Sequence, residues 1–241
     1  MTHFDITIIS DTVCPFCHLG KMRLDRAISL YRKTVPGGSS STFTIRWHAY
    51  LLDRNPPAKS MSVLDAAAGR FGAHRLPAKQ ARMAQLGAQE GLDYTFAGRI
   101  GASRDSHRMV QLGVTKGLDV ADRLMGAIMG MFFEEGADIT SWDDLETAAA
   151  RVGIDRDEAR RWLEDGEGGE QVDREVAEAY RMGLNGVPKF IINGAYEVDG
   201  AEDVSGFLAQ LVAAKDAAED GVAAKERRIR AVCGAESGCV F

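Results

Sequence analysis

The sequence predicts an α/β fold in which a βαβ opening and a ββα close flank a long helical block. Three observations predict it. A strand–helix–strand pattern occupies the first fifty residues, about 130 residues without a convincing strand follow, and a hairpin signal then precedes a last amphipathic helix.

The first element is the apolar run Phe4, Ile6, Ile8 and Ile9, which reads as a buried strand. Ser10, Asp11 and Thr12 break it and offer helix-capping oxygens. Pro15 stands where a first helical turn tolerates proline. Leu24, Ala27, Ile28, Tyr31 and Val35 then recur at helical spacing, up to Pro36-Gly37-Gly38 and a loop through Ser41. Phe43, Ile45 and Trp47 alternate with Thr44 and Arg46 as a second strand. Two parallel strands joined by a helix require a right-handed crossover.

From Pro56 to about Asn185 the chain is rich in Ala, Met, Leu, Arg and Glu, which are good helix formers. Ser141-Trp142-Asp143-Asp144 reads as a capped helix start. Asp155 or Asp157 caps another helix through Ala159 and Trp162. Gly166 to Gly169 separates it from a helix with Val172, Val176, Ala179 and Tyr180. Met125, Met129 and Met131 have two readings, ordinary packing or the lining of an apolar pocket. The β pattern returns at Phe190-Ile191-Ile192. Asn193-Gly194 is a strong hairpin signal, with Tyr196 and Val198 as the partner strand. Gly200 ends it, and Val204, Phe207, Leu208 and Leu211 mark a helix. The expected division is 1–55 with 186–215 as one unit, 56–185 as an inserted α-helical domain, and 216–241 as a C-terminal helix and tail.

Composition excludes some partners. Of 241 residues, 45% are hydrophobic and 27% charged, with a formal charge of −6. That balance is ordinary for a globular chain and argues against nucleic acid as a partner. No segment approaches the roughly 20 apolar residues of a membrane span. The first ten residues lack a basic start and a continuous apolar run, so no signal peptide is read and the expected localisation is cytoplasmic.

The four cysteines fall in two close pairs, Cys14 with Cys17 and Cys233 with Cys239. Cys14 sits between a strand and a helix N-terminus, where unpaired N–H groups and the helix dipole favour a thiolate, the attacking species in disulfide exchange. Cys17, one turn on, is placed to attack a mixed disulfide and release the substrate. Phe16 offers an apolar surface beside the sulfur. A pair of inert thiols, or a zinc site built from all four cysteines, are the competing readings. The five-residue gap of the second pair is a poor zinc knuckle. Cys233 and Cys239 read equally as an auxiliary dithiol or as incidental thiols.

Several segments carry a family resemblance. They are Asp11-x-x-Cys14-Pro15-Phe16-Cys17-His18-Leu19-Gly20, Arg46-Trp47-His48-Ala49-Tyr50-Leu51-Leu52, Gly91-Leu92-Asp93-Tyr94, Ser106-His107-Arg108, Gly153-Ile154-Asp155 and Gly186-Val187-Pro188-Lys189-Phe190. In this order, from about Phe4 to Leu211, the chain resembles the DsbA-like thioredoxin family, most closely its FrnE-like branch. The resemblance implies a thioredoxin fold with a large α-helical insertion and a thiol–disulfide oxidoreductase. It implies Cys14, Cys17 and Pro188 as catalytic residues, with a cis Val187–Pro188 bond facing the cysteines and the Val187 backbone pairing with substrate. Pro15, Phe16, His18, His107 and Val187 are then the candidate substrate-binding residues. As single histidines, His18 and His107 also read as a solvated and a structural side chain. The branch is similar to 2-hydroxychromene-2-carboxylate isomerases and kappa-class glutathione transferases, which typically carry serine at the position of Cys14 and use glutathione. A glutathione-dependent isomerase or transferase is therefore the alternative.

The expected reaction is disulfide reduction, formation or isomerisation on a protein or small-molecule thiol or disulfide, with bacterial or fungal secondary metabolism as one setting. No cofactor or metal is demanded, glutathione is a candidate co-substrate, and the chain is a monomer or homodimer. In a reducing cytosol, reduction or isomerisation is the easier direction.

Overall fold

The computed structural model describes residues 2–235, with side chains described through Asp220. Strand β1 (His3–Ser10) alternates so that Phe4, Ile6 and Ile8 are fully buried. Helix α1 (Pro15–Thr34) follows and ends before Val35, whose N–H bonds back to the Tyr31 carbonyl. Strand β2 (Thr42–Ala49) returns parallel to β1, pairing His3 with Thr42 and Ser10 with Ala49.

The middle of the chain holds α2 (Val63–Phe71), α3 (Leu76–Gln89), α4 (Arg104–Lys116), α5 (Leu118–Phe133), α6 (Trp142–Arg151), α7 (Arg156–Glu164) and α8 (Gly169–Arg181). The Ser141 hydroxyl caps α6 through the Asp144 N–H, and the Asp155 carboxylate caps α7 through the Glu158 N–H. The expectation of no strand here is corrected by β3 (Met61–Ser62) and β4 (Arg99–Ile100), which pair antiparallel. Two residues are too few for an alternating pattern to register in sequence.

Strand β5 (Lys189–Ile192) runs antiparallel beside β1, and β6 (Tyr196–Asp199) pairs with β5, giving the sheet order β2-β1-β5-β6. Asn193 and Gly194 turn the hairpin with φ of 50° and 70°, the left-handed geometry that Asn-Gly supports best. Helix α9 (Val204–Ala235) packs on α1, β5 and β6. It runs unbroken across residue 216, so no break in the chain separates 216–235 from the helix before it.

The main core joins both parts of the chain. Phe4, Tyr31, Phe190 and Phe207 are fully buried beside Leu124, Met125 and Met129 of α5. These two methionines are packing residues. The cavity near Met131, lined also by Ile128, Phe132, Asp138 and Asp144, measures about 10 Å³, room for one water.

At Gly20, inside α1, an added Cβ would fall 2.9 Å from Phe190 Cζ and 3.3 Å from Pro188 Cγ. Phe190 cannot yield, because it is fully buried and its ring meets Phe207 edge-on at 4.7 Å. Alanine gains about 1 kcal/mol of helix propensity, against an overpacking cost of roughly 1–3 kcal/mol. Gly20→Ala is expected to destabilise the protein by about 1 kcal/mol, read as a lower urea midpoint. A higher midpoint would show that Phe190 has room to move.

Candidate active site

Cys14 is the N-cap of α1, with extended backbone (φ −94°, ψ 112°) and Pro15 in the first helical position. Its N–H donates to the Asp11 carbonyl at 3.1 Å, which fixes the turn out of β1. Its sulfur lies 3.6 Å from the carbonyl oxygen of Val187, and the Val187–Pro188 peptide bond is cis. The α1 N-terminus and the start of β5, 173 residues apart in sequence, thus meet at one sulfur. Cys14 is 4% exposed and Cys17 is fully buried behind it, both as free thiols.

Burial pushes the Cys17 thiol well above its ordinary value, and the adjacent Cys14 sulfur adds to the rise. The Ser10 side chain and the Asp11 backbone act in the opposite direction. The two sulfurs are therefore unequal. Cys14 stands at the helix terminus beside the Val187 carbonyl, and Cys17 is held behind it as a fully buried thiol.

Phe16, at 46% exposed, projects beside Cys14. Pro15, half-buried, is held by the Tyr94 hydroxyl, which donates to its carbonyl at 3.0 Å. Burial, followed by the nearby Glu134, raises the Tyr94 phenol and keeps it a donor. Tyr94 comes from the loop after α3, where a Cβ at Gly87 would lie 2.6 Å from its ring.

Where the resemblance places both His18 and His107 on the substrate side, the structure buries them at 4% and 2% exposed. His18 stacks on Phe133 at 5.4 Å and meets the Tyr94 ring edge-on at 5.8 Å, and its Nδ1 has no hydrogen-bond partner. Burial, followed by the Lys21 charge, lowers its pKa to about 4. Glu134, at 4.0 Å, is too distant to offset this.

The unfolded chain, with an ordinary histidine near 6.5, therefore binds more protons than the native state between about pH 4 and 6.5. The stability that comes from keeping His18 neutral is complete above pH 6.5 and is lost as pH falls toward 4. The span corresponds to roughly 3 kcal/mol. A His18→Gln variant is expected to lose less stability than the parent over this interval in urea titrations. Parallel losses would mean that His18 does not govern the acid limb.

His107, on α4, lies beneath the motif. Its Nε2 stands 3.4 Å from Asp11 Oδ1, close enough for an ion pair but off the line of a hydrogen bond. Asp11 is fully buried, and its Oδ2 accepts from the Leu52 N–H at 2.7 Å. Next to it, the Thr12 and Ser106 hydroxyls bond at 2.7 Å. The loop before Cys14 is thereby tied to the first turn of α4 and to the chain leaving β2.

Cys14, Pro15, Phe16, Cys17, Val187 and Pro188 thus share one place, with His18 and His107 behind them. Ser10, Asp11 and Tyr94 also belong to it. In sequence, Asp11 and Tyr94 are visible only inside the motifs of the resemblance, and Ser10 only as a strand breaker. Cys239 lies outside the described residues. Cys233 falls on α9, where side chains are not described. Among the described residues, no group of three or more His, Cys, Asp or Glu is arranged to hold a metal ion. No described helix is long and apolar enough to cross a membrane.

Known proteins share the fold that carries this arrangement. The model of the DSBA-like thioredoxin domain matches residues 5–212. A probable DsbA oxidoreductase from Streptomyces coelicolor is 26% identical, with TM-score 0.77 over 89% of this chain and 91% of its own. The cytosolic disulfide reductase DsbM from Pseudomonas aeruginosa, solved with GSH, is 18% identical, with TM-score 0.54 over 90% of this chain and 98% of its own. A 2-hydroxychromene-2-carboxylate isomerase shares the fold at 16% identity, with TM-score 0.56 over 97% of this chain and all of its own. No curated protein matches the sequence significantly. The chain belongs to the DsbA-like thioredoxin family, a family of thiol–disulfide oxidoreductases.

Proposed function

We propose that the protein performs thiol–disulfide exchange through Cys14-Pro15-Phe16-Cys17, with Cys14 as the nucleophile and Cys17 as the resolving thiol. The observation that carries this is the inequality of the two sulfurs. Cys14 caps α1 and stands 3.6 Å from the Val187 carbonyl, while Cys17 is fully buried. The Cys14 thiolate attacks a substrate disulfide, forming a mixed disulfide and expelling one substrate thiolate. Cys17 then attacks Cys14, closing the intramolecular disulfide and expelling the second. The enzyme dithiol is oxidised and the substrate disulfide reduced, and the reverse sequence forms a disulfide. An extended substrate would lie along the Val187 backbone beside Pro188, with Phe16 as an apolar contact.

The substrate class is a peptide or small-molecule disulfide, small cyclic disulfides of secondary metabolism included. The reaction takes place in the reducing cytoplasm, with glutathione as the thiol that returns the motif to its dithiol state. The glutathione-bound cytosolic DsbM neighbour supports both assignments. In the test, Cys17→Ser protein is mixed with oxidised glutathione, with insulin and with a small cyclic disulfide, and analysed by intact mass and peptide mapping. A mixed disulfide on Cys14 is expected with at least one of them. Adducts on other cysteines alone would sink the assignment.

A further inference from the structure

Under the exchange mechanism the fully buried Cys17 sulfur must become an attacking thiolate. The packing of β1 on α1 places Ser10 against it. Phe4, Ile6, Ile8 and Ser10 share one face of β1 by alternation, and all four are fully buried. The Phe4 ring meets Tyr31 of α1 at 5.2 Å, so that face looks onto α1. Because β1 and β2 are parallel, the connecting α1 runs back against them. From residue 4 to residue 10 the strand advances about 20 Å, and from residue 31 back to residue 17 the helix covers about 21 Å. Ser10 therefore stands opposite Cys17 as Phe4 stands opposite Tyr31.

The Ser10 hydroxyl is also an orphan. Its Oγ is buried with no hydrogen-bond partner in the dithiol form. A buried hydroxyl without a partner costs stability, so its presence calls for a reason. The electrostatics agree with the placement, since the Ser10 side chain and the Asp11 backbone are the groups that favour the Cys17 thiolate against its burial.

We propose that the Ser10 hydroxyl forms a donor cradle that receives the Cys17 thiolate during resolution of the mixed disulfide. The inference rests on the exchange reading above. In this step the Cys17 proton leaves to water and the sulfur turns to Cys14. A Cys14–Cys17 bond forms, the bond from Cys14 to the substrate breaks, and the substrate departs as a thiolate. Ser10 acts on the second step, because the sulfur it faces is that of Cys17, while the Cys14 sulfur lies against the Val187 carbonyl.

The test is single-turnover reaction of the reduced full chain with the aromatic disulfide dithiobis-nitrobenzoate, which releases one coloured thiolate on attack by Cys14 and a second on resolution by Cys17. A Cys14→Ser/Cys17→Ser protein run in parallel subtracts release by Cys233 and Cys239. Ser10→Ala is expected to leave the first phase unchanged and to slow the second by about tenfold or more. Its melting temperature should equal or exceed the parent's, because an orphaned polar group has been removed. An unchanged second phase overturns the cradle, as does equal slowing of both phases with a lower melting temperature, which marks a structural hydroxyl. A parent protein with no first phase above the control overturns the exchange reading, and the Ser10 role with it.

Discussion

Cys14→Ser is expected to lower disulfide reduction by at least about a thousandfold, to the level of the uncatalysed thiol reaction. A serine oxygen cannot form the mixed disulfide, so the loss is one of mechanism rather than of affinity. Cys17 cannot substitute for it. That sulfur is fully buried, and burial together with the adjacent Cys14 raises its thiol well above the ordinary value. Cys17→Ser should behave differently. The first attack remains, turnover stops at the mixed disulfide, and one substrate equivalent stays on Cys14. The pair is read by following insulin or oxidised glutathione reduction and by intact mass. Turnover that survives in Cys14→Ser with glutathione present would move the chemistry to that of a glutathione-dependent isomerase or transferase.

The difference between those two cysteines was legible in part. Their spacing and the run Phe4, Ile6, Ile8 ahead of Pro15 suffice to put Cys14 at a strand-to-helix junction, because period-two and period-3.6 patterns change over within a few residues. The hairpin at Asn193-Gly194 was equally plain, since left-handed backbone at two successive residues leaves little other choice. The remainder depends on contacts distant in sequence. Tyr94 bonds to Pro15 across 79 residues, and Asp11 meets His107 across a similar span. A single sequence has no term for such pairs. His107 and His18 illustrate the limit: a histidine near a reactive motif reads the same whether it faces solvent or packs under the site, and here both pack under it. The two-residue strands β3 and β4 were invisible for a different reason, having no period to detect.

The Asp11 carboxyl group is where those distant contacts converge, and its removal carries the largest expected loss of stability. Asp11→Ala would leave the Leu52 N–H, now bonded at 2.7 Å, without its acceptor in a buried setting. It would also leave the His107 imidazole, at 2% exposed, without the acidic group placed against it. An orphaned buried polar group costs about 1–3 kcal/mol, and both the Leu52 N–H and the His107 imidazole lose a neighbour. Because the Asp11–His107 approach of 3.4 Å is off the hydrogen-bond line, the lower part of that range applies to His107. We expect a total near 3 kcal/mol, measured by urea unfolding. Asp11→Asn, which keeps the shape and an acceptor oxygen for Leu52, should lose about half as much. A double-mutant cycle with His107→Ala then separates the two contacts, with a coupling of about 1 kcal/mol assigned to the pair. Exchange should slow as well, because the Asp11 carbonyl accepts the Cys14 N–H at 3.1 Å and any loosening of this turn moves the nucleophile relative to Val187. An Asp11→Ala protein as stable as the parent would show that Leu52 and His107 find other partners, and that α4 is not what holds the cysteine loop in place.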